Sequence, residues 1–322
     1  MPKVSVIVPI YGVERYIERC SRSLFEQTLD DMEFIFVNDC TTDNSMEELR
    51  RTIEKYPERR NQIVILNHDH NKGLSHARET GIKAATGMYI AHCDSDDWVE
   101  RTMYEEMFNF AVSGNYEYVK CGHRKTDLNG IDDVILVYKG RGGLCTETVM
   151  ELLLEWKGWN SIWDTLVQRN VYKRSDLSFT DFAMLEDLYV VSQLIPRAKR
   201  IGILNKPLYN YFVNPNSICN TSGSEAFINR AKQAKSNMDW VLSNLAKEME
   251  MTYRLELTAK WFVKNILIPI MDKKENKVYW NNIYPELNAL TIWITHVSVN
   301  NKVRFISAES GLYKYFKRLK NQ

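Results

Sequence analysis

The chain has 322 residues, of which 44% are hydrophobic and 26% are charged, as in an ordinary globular protein. It carries 42 lysines and arginines against 41 aspartates and glutamates, so its net charge gives no reason to expect a nucleic-acid partner. Six scattered cysteines without a CxxC pair argue against a zinc site or a disulfide framework and favour a cytoplasmic location.

Four short apolar runs mark the first hundred residues, and segments of helical length separate them. The runs are 4–10 (VSVIVPI), 34–37 (FIFV), 63–66 (IVIL) and 88–91 (MYIA), and the helical segments are 14–28, 45–56 and 74–85. This alternation predicts βαβ units and a parallel sheet. Ligands bind beyond the carboxyl ends of such strands. The residues at those ends are Pro9, Tyr11, Asp39, Asn67 and the group Asp94 to Asp97.

The pattern changes beyond residue 100. The elements predicted there are strands at Val119 and 135–138, a turn at 127–133 and a helix at 146–156. Residues 224–322 have a mostly helical pattern. Small polar residues at 221–223 (TSG) favour a linker, which predicts domains of 1–221 and 222–322.

Three carboxylates follow the fourth apolar run within four residues, at Asp94, Asp96 and Asp97. They repel one another, so folding alone gives little reason to gather them. Mg²⁺ and Mn²⁺ prefer oxygen ligands, and Mg²⁺ usually takes one or two carboxylates together with substrate phosphates. Aspartates at positions i and i+2 beyond a strand therefore predict a metal–phosphate site. The alternative is a turn whose aspartates cap a helix N-terminus.

Three further segments contain candidate functional side chains. Asp39 ends a buried strand, where its carboxylate can accept a hydrogen bond from a base or close an Asx turn. Arg78, about one turn into a predicted helix, can hold a diphosphate or lie solvated at the surface. Glu186 and Asp187 lie among apolar residues, where one of them can act as a general base. An acid pair at a helix N-terminus is the alternative.

Two weaker patterns concern histidines and tryptophans. His68 and His70 could ligate a metal, but no third ligand follows at a suitable spacing, so a polar strand exit is favoured. Trp156, Trp159 and Trp163 could stack on sugar rings or pack in the core. Both interpretations of the tryptophans stay open.

Four segments, taken in order and spacing, resemble the motif series of the family 2 glycosyltransferases with the GT-A fold. They are VSVIVPIYG, VNDCTTDNS, NKGLSHARETGIKAATGMYIAHCDSDDW and LED. The resemblance is strong over residues 4–110, fair to about residue 218 and weak beyond. It implies an α/β fold with a Rossmann-like mixed sheet, a nucleotide-binding half (1–110), an acceptor half (111–221) and a mainly helical C-terminal region.

The resemblance also implies an activity. The expected reaction is an inverting transfer of a hexosyl or N-acetylhexosaminyl group from a nucleotide-diphosphate donor, with a UDP-sugar favoured, to a hydroxyl acceptor. The acceptor would be a saccharide or lipid-linked saccharide in bacterial polysaccharide or glycolipid assembly. The rival functions are a non-catalytic scaffold subunit and a phosphotransferase with Asp94 as its nucleophile. Asp97 and Trp98 do not fit the pattern of that phosphotransferase.

Residue roles follow from the same resemblance. Asp187 is the expected base for the acceptor hydroxyl, and Asp96, with Asp94, is the expected ligand of Mg²⁺ or Mn²⁺. Asp39 is expected to read the base, and Arg78 to approach the diphosphate. The expected nucleotide-binding residues are Pro9, Tyr11, Asp39, Arg78, Asp94 and Ser95. The candidates for acceptor binding are Glu186, Trp159 and Trp163.

The chain departs from the family pattern in three places. Gly12 replaces a common Asn, and Cys40 stands where Gly is frequent. Residues 211–217 (YFVNPNS) lack the arginines that often precede a Pro-Gly-Ser turn. How the later loop closes over the diphosphate is therefore open.

The C-terminal segment 302–322 is basic, with six lysines and arginines against one acid. Its apolar residues recur at helical spacing, which predicts either an amphipathic helix on anionic lipid or a docked helix with a solvated basic face. The first 30 residues contain no signal-peptide pattern, and nowhere does an apolar run approach the roughly 20 residues that span a bilayer. The sequence therefore predicts a cytoplasmic protein with peripheral membrane contact at most.

Overall fold

The computed structural model describes residues 1–126, 132–135, 142–155, 157–214 and 223–313. By its contacts the chain divides into two compact units. The first comprises Met1–Val149, Ser161–Ala183 and Gln193–Pro215, and the second comprises Met150–Asn160, Met184–Ser192 and Asn216–Gln322. Thr221 and Ser222 lie outside the described residues, so the domain division at residue 221 stays a prediction.

A mixed sheet forms the framework of the first unit. Its strands within the described residues are β1 (Val4–Ile10), β2 (Met32–Asn38), β3 (Ile63–Asn67), β4 (Tyr89–His92), β5 (Trp98–Val99), β6 (Tyr118–Thr126), β7 (Asp132–Ile135), β8 (Gly142–Leu144), β9 (Thr165–Gln168) and β10 (Ile201–Phe212). Their order is β3-β2-β1-β4-β9-β6-β10-β5, with β7 beside β6 and β8 beside β10. Strands β3, β2, β1 and β4 run parallel, and β9 is antiparallel to both its neighbours. The predicted α/β class is confirmed.

The described helices are α1 (Ile17–Phe25), α2 (Ser45–Glu54), α3 (Leu74–Ala84), α4 (Met103–Gly114), α5 (Thr146–Leu154), α6 (Arg169–Ser175), α7 (Glu186–Leu194), α8 (Ser224–Leu245), α9 (Tyr253–Asn265), α10 (Lys277–Asn282) and α11 (Val299–Glu309). On α1, Ile17, Cys20 and Leu24 recur at helical spacing and are fully buried. Every residue of β1 is buried, as expected for a parallel strand whose two faces are both covered.

The first half of the first unit matches the sequence prediction. The four parallel strands and the three helices between them are confirmed, and the largest boundary shift is three residues, at each end of α1. The predicted turn at 127–133 is wrong at its end, because Asp132 and Asp133 pair with β6 as part of β7. Residues 127–131 and 136–138 lie outside the described part of the chain. Strands β9 and β10 were not predicted.

The second unit is mainly helical, as predicted. On α8, Ala234, Met238 and Val241 form a buried stripe, and Thr252 caps α9 by accepting a hydrogen bond from the Leu255 N–H. No helix among the described residues is long and apolar enough to cross a membrane. Of the basic segment 302–322, the structure describes the residues to 313.

The first basic residue of that segment points inward. Lys302 is 9% exposed, and its Nζ donates to the carbonyl oxygens of Trp293 (3.1 Å) and Thr295 (2.9 Å). Lys302 therefore joins α11 to the loop before it, and its ammonium group is not presented to a lipid surface. The basic residues from Lys314 onward lie outside the described residues, so lipid contact by them stays a prediction.

Candidate active site

The acidic cluster forms a tight turn between β4 and β5. The Asp97 N–H donates to the Asp94 carbonyl at 3.0 Å, which closes a β-turn. Asp94 and Asp96 are half-buried, whereas Ser95 and Asp97 are buried. The three carboxylates have separate hydrogen-bond partners, and among the described residues only Asp94 is paired with a cation.

Asp97 anchors this turn to β10. It is fully buried, and its carboxylate accepts hydrogen bonds from the Tyr209 hydroxyl (2.6 Å) and the Phe212 N–H (2.7 Å). The Tyr209 hydroxyl also accepts a bond from the Asp94 N–H at 3.0 Å. Burial, together with the charges of Asp96 and Asp94, raises the pKa of Asp97 well above its usual range. Asp97, whose role the sequence left open, is thus a structural member of the turn.

Asp94 is paired with Arg78 of α3. The Arg78 Nη2 donates to Asp94 Oδ1 at 2.7 Å, and the side chains of Arg78 and Asp94 are 1% and 24% exposed. A charge-assisted bond in such surroundings holds both groups in place. The structure therefore places Arg78 beside the acidic turn, and its contact with a diphosphate stays a prediction.

Asp96 has a different set of neighbours. Its Oδ2 accepts a hydrogen bond from Asn214 Nδ2 at 3.0 Å, and its backbone carbonyl accepts one from Arg19 Nη2 at 2.7 Å. The Arg19 guanidinium stacks on the Trp98 ring at 3.9 Å and on the Phe212 ring at 4.8 Å. The side chain of Asp96 is thereby oriented by a neutral amide, and no cation from the described part of the chain pairs with it.

The side chains of Asp94 and Asp96 fit a divalent cation that also binds a ligand. Oδ1 of Asp96 accepts no hydrogen bond from the described residues. Within the same residues, no group of three or more His, Cys, Asp or Glu could hold a metal by itself. Mg²⁺ commonly takes only one or two carboxylates and completes its shell with water and substrate phosphates. The donor set therefore suits a metal that arrives with a phosphate ligand.

Asp39 lies at the end of β2 and holds the turn before α3. It is 3% exposed, and its two oxygens accept the backbone N–H groups of Lys72 and Gly73, both at 2.8 Å. Gly73 has φ +87°, in the left-handed region that favours glycine. The ring nitrogens of His68 lie 2.6 Å from Asp39 Oδ1 and 2.8 Å from Thr80 Oγ1.

Two consequences follow from this arrangement. Both nitrogens of His68 have partners within the protein, which agrees with the polar strand exit favoured over a metal site. Three protein donors already use the carboxylate of Asp39, so its contact with a base stays a prediction.

The loop after β1 is tied to the loop after β2. The three bonds run from the N–H groups of Gly12, Val13 and Glu14 to Thr41 Oγ1 (2.9 Å), Ser45 Oγ (3.0 Å) and Asp43 Oδ2 (3.0 Å). Burial would raise the pKa of Asp43, but hydrogen bonds from Ser45, Thr41 and Glu14 outweigh it and lower that pKa. Tyr11, 53% exposed, stands on this braced loop, and Pro9 is buried within β1. A rigid loop with one exposed aromatic ring can serve as a pocket wall.

Of the three candidate tryptophans, the two that the structure describes are buried. Trp163, 9% exposed, stacks on Tyr209 (centroids 4.5 Å apart) and on Tyr211 (5.5 Å) in the first unit. Trp159 is fully buried in the second unit, and Trp156 lies outside the described residues. These contacts favour the core-packing alternative, and acceptor binding by Trp159 and Trp163 stays a prediction.

Glu186 and Asp187 begin α7 within the second unit. Leu185, just before them, has φ +64°, and Tyr189 stacks on Trp240 of α8 with centroids 3.9 Å apart. Glu186 is 4% exposed, whereas Asp187 is half-buried. Asp187 is thus the more accessible carboxylate of the pair, and its role as a base stays a prediction.

Four residues that contact the acidic turn were not identified from the sequence: Arg19, Tyr209, Phe212 and Asn214. Three of them lie in or directly after β10, a strand that the sequence did not predict. The hydrogen bond between Tyr209 and Asp97 joins residues 112 positions apart. No local spacing in the sequence marks such a pair. The lack of basic residues at 211–217 was the one sequence feature that set this segment apart from the family pattern.

Comparison with known proteins places these features in a family. The family described as Glycosyl transferase family 2 matches residues 5–136. The uncharacterized glycosyltransferase EpsJ of Bacillus subtilis (strain 168) is 36% identical over 222 residues, which are 68% of this chain and 63% of EpsJ. The chain therefore spans less than two thirds of the length of that relative.

Solved structures share the fold. TarS 1–349 from S. aureus, in complex with UDP-GlcNAc, has a TM-score of 0.68 at 16% identity, over 98% of this chain and 92% of that one. The mannosyltransferase PcManGT from Pyrobaculum calidifontis, in complex with GDP-Man and Mn²⁺, has a TM-score of 0.58 at 15% identity, over 100% of this chain and 88% of that one. At these identities the likeness shows the fold alone, and the predicted GT-A fold is confirmed.

Proposed function

The chain belongs to the family 2 glycosyltransferases, and on this premise we propose that it moves a hexosyl or N-acetylhexosaminyl group from a nucleotide-diphosphate donor to a hydroxyl acceptor, with inversion. A UDP-sugar is the favoured donor, in line with the UDP-GlcNAc complex of TarS. The acceptor is a saccharide or lipid-linked saccharide of a bacterial polysaccharide or glycolipid pathway, and the location is the cytoplasm. The acidic turn between β4 and β5 is the observation that carries this proposal.

Asp96 and Asp94 would hold Mg²⁺ or Mn²⁺ at this turn. Such a cation, when bound, neutralises the charge of the departing nucleoside diphosphate. The protein's own residues position the two carboxylates. The Asn214 amide orients one oxygen of Asp96, and Arg78 holds Asp94. The Mn²⁺ complex of PcManGT supports the same cofactor class here.

Asp187 is the proposed general base, on the resemblance of its LED motif to that of the family. In a direct displacement the acceptor hydroxyl loses its proton as its oxygen attacks the sugar. A base must be accessible to that hydroxyl, which favours the half-buried Asp187 over the buried Glu186.

A donor screen tests this function. Purified protein is incubated with UDP-GlcNAc, UDP-glucose, UDP-galactose or GDP-mannose and a mixture of saccharides as acceptors, with Mn²⁺ or with a chelator, and release of nucleoside diphosphate above that without acceptor, where water takes the sugar, is measured. We expect metal-dependent release from one donor and a fall of about 100-fold or more in Asp187→Asn, the usual range for loss of a general base. The control is Asp31→Asn, since the side chain of Asp31 is 68% exposed and only a surface lysine lies near it.

The outcomes separate the rival functions. Tight donor binding without any turnover would favour the non-catalytic scaffold. Release that is unaffected by Asp187→Asn would leave the transferase activity in place but remove Asp187 from it. If no donor binds or turns over with either metal, the proposed function is wrong.

A further inference from the structure

Arg19 occupies an unusual electrostatic position beside the acidic turn. Its guanidinium donates one hydrogen bond, from Nη2 to the neutral carbonyl of Asp96. Within the described residues no carboxylate oxygen lies within 4.0 Å of its nitrogen atoms, and its buried Nε has no hydrogen-bond partner. Arg19 therefore has no ion-pair partner among the described residues, and its Nη1 is not used by a hydrogen bond within them, at the turn that carries Asp96.

The aromatic contacts of Arg19 fix where that charge lies. The guanidinium is 3.9 Å from the centroid of the Trp98 ring and 4.8 Å from that of Phe212. Two rings restrict a planar guanidinium to the space between them without neutralising it, so less rotamer entropy remains to be lost on binding. Such a group is pre-organised for an anion.

Arg78, which contacts the same turn through Asp94, is less available to bind an anion. It is 1% exposed, and its Nη2 is bonded to the carboxylate of Asp94 at 2.7 Å. Arg19 is half-buried and has no such ion pair. An anion that reaches this turn therefore meets Arg19 as a cation that makes no contact ion pair within the described residues, although the charges of Asp97 and Asp96 act on it from a distance.

The sequence around the end of β10 offers no other cation that could take the place of Arg19. Residues 207–222, which include the end of β10 and the segment after it, contain no lysine, arginine or histidine. Phe212 of this strand instead packs on Arg19, which brings a cation from α1 to the same place.

We propose that Arg19 binds the terminal phosphate of the donor's nucleoside diphosphate and holds it beside Asp96. The proposal rests on the proposed function, since a nucleotide donor must bind at this turn. The guanidinium, whose Nη1 makes no hydrogen bond within the described residues, matches a phosphate oxygen by charge and by hydrogen bonding. Arg19 thereby discriminates nucleoside diphosphates from monophosphates.

The test compares the affinities of UDP and UMP, and of GDP and GMP, by calorimetric titration in Mn²⁺. In Arg19→Gln we expect the affinity for the diphosphate to fall about 10- to 100-fold, the range for a charged hydrogen bond, and that for the monophosphate to change less than about twofold. Arg19→Lys, which keeps the charge, should recover part of the loss. Arg22→Gln is the matched control, because Arg22 is exposed on the same helix.

The possible results are distinct. If diphosphate and monophosphate affinities fall together, Arg19 only positions the turn, and the proposal is wrong. Unchanged diphosphate affinity in a folded Arg19→Gln variant, checked by thermal denaturation, also overturns it. If the wild-type protein binds none of these nucleotides, the proposed function itself fails and the Arg19 proposal with it.

Discussion

Two arginines flank the same acidic turn, and their surroundings differ. Arg78 is buried and paired with Asp94, so its positive charge is compensated by an ion pair within the protein. Arg19 lies against the rings of Trp98 and Phe212, and within the described residues its guanidinium donates a hydrogen bond only to the backbone carbonyl of Asp96. The difference indicates that the presence of an arginine near the acidic turn in sequence does not by itself show what that arginine does. The paired arginine stabilises the fold of the turn, and the stacked arginine is free to bind an anion.

The largest stability effect is expected on the Arg78 side. Arg78→Met leaves the partly buried carboxylate of Asp94 without its cation and should lower the free energy of unfolding by about 3 kcal/mol. Arg19→Met removes two half-buried cation–π contacts and the hydrogen bond to the Asp96 carbonyl but strands no charge, and should cost about 1 to 2 kcal/mol. Urea unfolding of both variants checks the contrast. Equal losses would mean that the two arginines have the same structural role.

Removing one hydroxyl group tests the anchor between β10 and the turn. Tyr209→Phe deletes the buried donor to Asp97 and the half-buried acceptor of the Asp94 N–H. We expect a loss of about 2 kcal/mol in the free energy of unfolding. Tyr253→Phe serves as the control, because Tyr253 is 52% exposed. A loss no larger than that of the control would show that the turn does not depend on Tyr209.

A third cation, in the second unit, shows what burial does without a carboxylate partner. Lys264 is 1% exposed, and its Nζ donates to the carbonyls of Tyr284 (3.0 Å) and Leu287 (2.7 Å). Burial lowers the pKa of Lys264 from its usual 10.5 to about 8, and the more distant charges of Glu309 and Glu286 oppose this only in part.

The lowered pKa of Lys264 has a consequence for stability. Between about pH 8 and pH 10 the unfolded chain keeps this proton and the folded chain releases it, so stability rises with pH in that window. The free energy of unfolding of the wild type, relative to Lys264→Met, should increase by about 2 kcal/mol from pH 7.5 to pH 9.5. Urea titrations at the two pH values measure it. A flat difference would contradict the lowered pKa.

The sequence predicted those parts of the fold and site that depend on local pattern. Strands β1 to β4 are continuous apolar runs, and the acidic turn directly follows one of them, so both could be identified. Strand β10 was missed because Asn205, Lys206 and Pro207 interrupt its apolar pattern, and its pairing shifts register around Pro207.

The missing parts of the site depend on long-range contacts. Asp97 belongs to the acidic cluster in sequence, yet Tyr209 and Phe212 of β10 turn it into a buried anchor. Asp39 was predicted as a base reader, and the structure shows that it also holds the turn at Lys72 and Gly73. Only tertiary structure separates such roles, because the residue types are the same.

Metal-dependent nucleotide binding tests the central claim most directly. UDP and GDP are titrated calorimetrically into the wild type, Asp96→Ala and the surface control Asp31→Ala, each with and without Mn²⁺. We expect Mn²⁺ to raise the affinity of the wild type and of the control for one of the two nucleotides by about tenfold or more, and Asp96→Ala to lose this gain. An equal gain from Mn²⁺ in Asp96→Ala, or no binding of either nucleotide to the wild type, would contradict it.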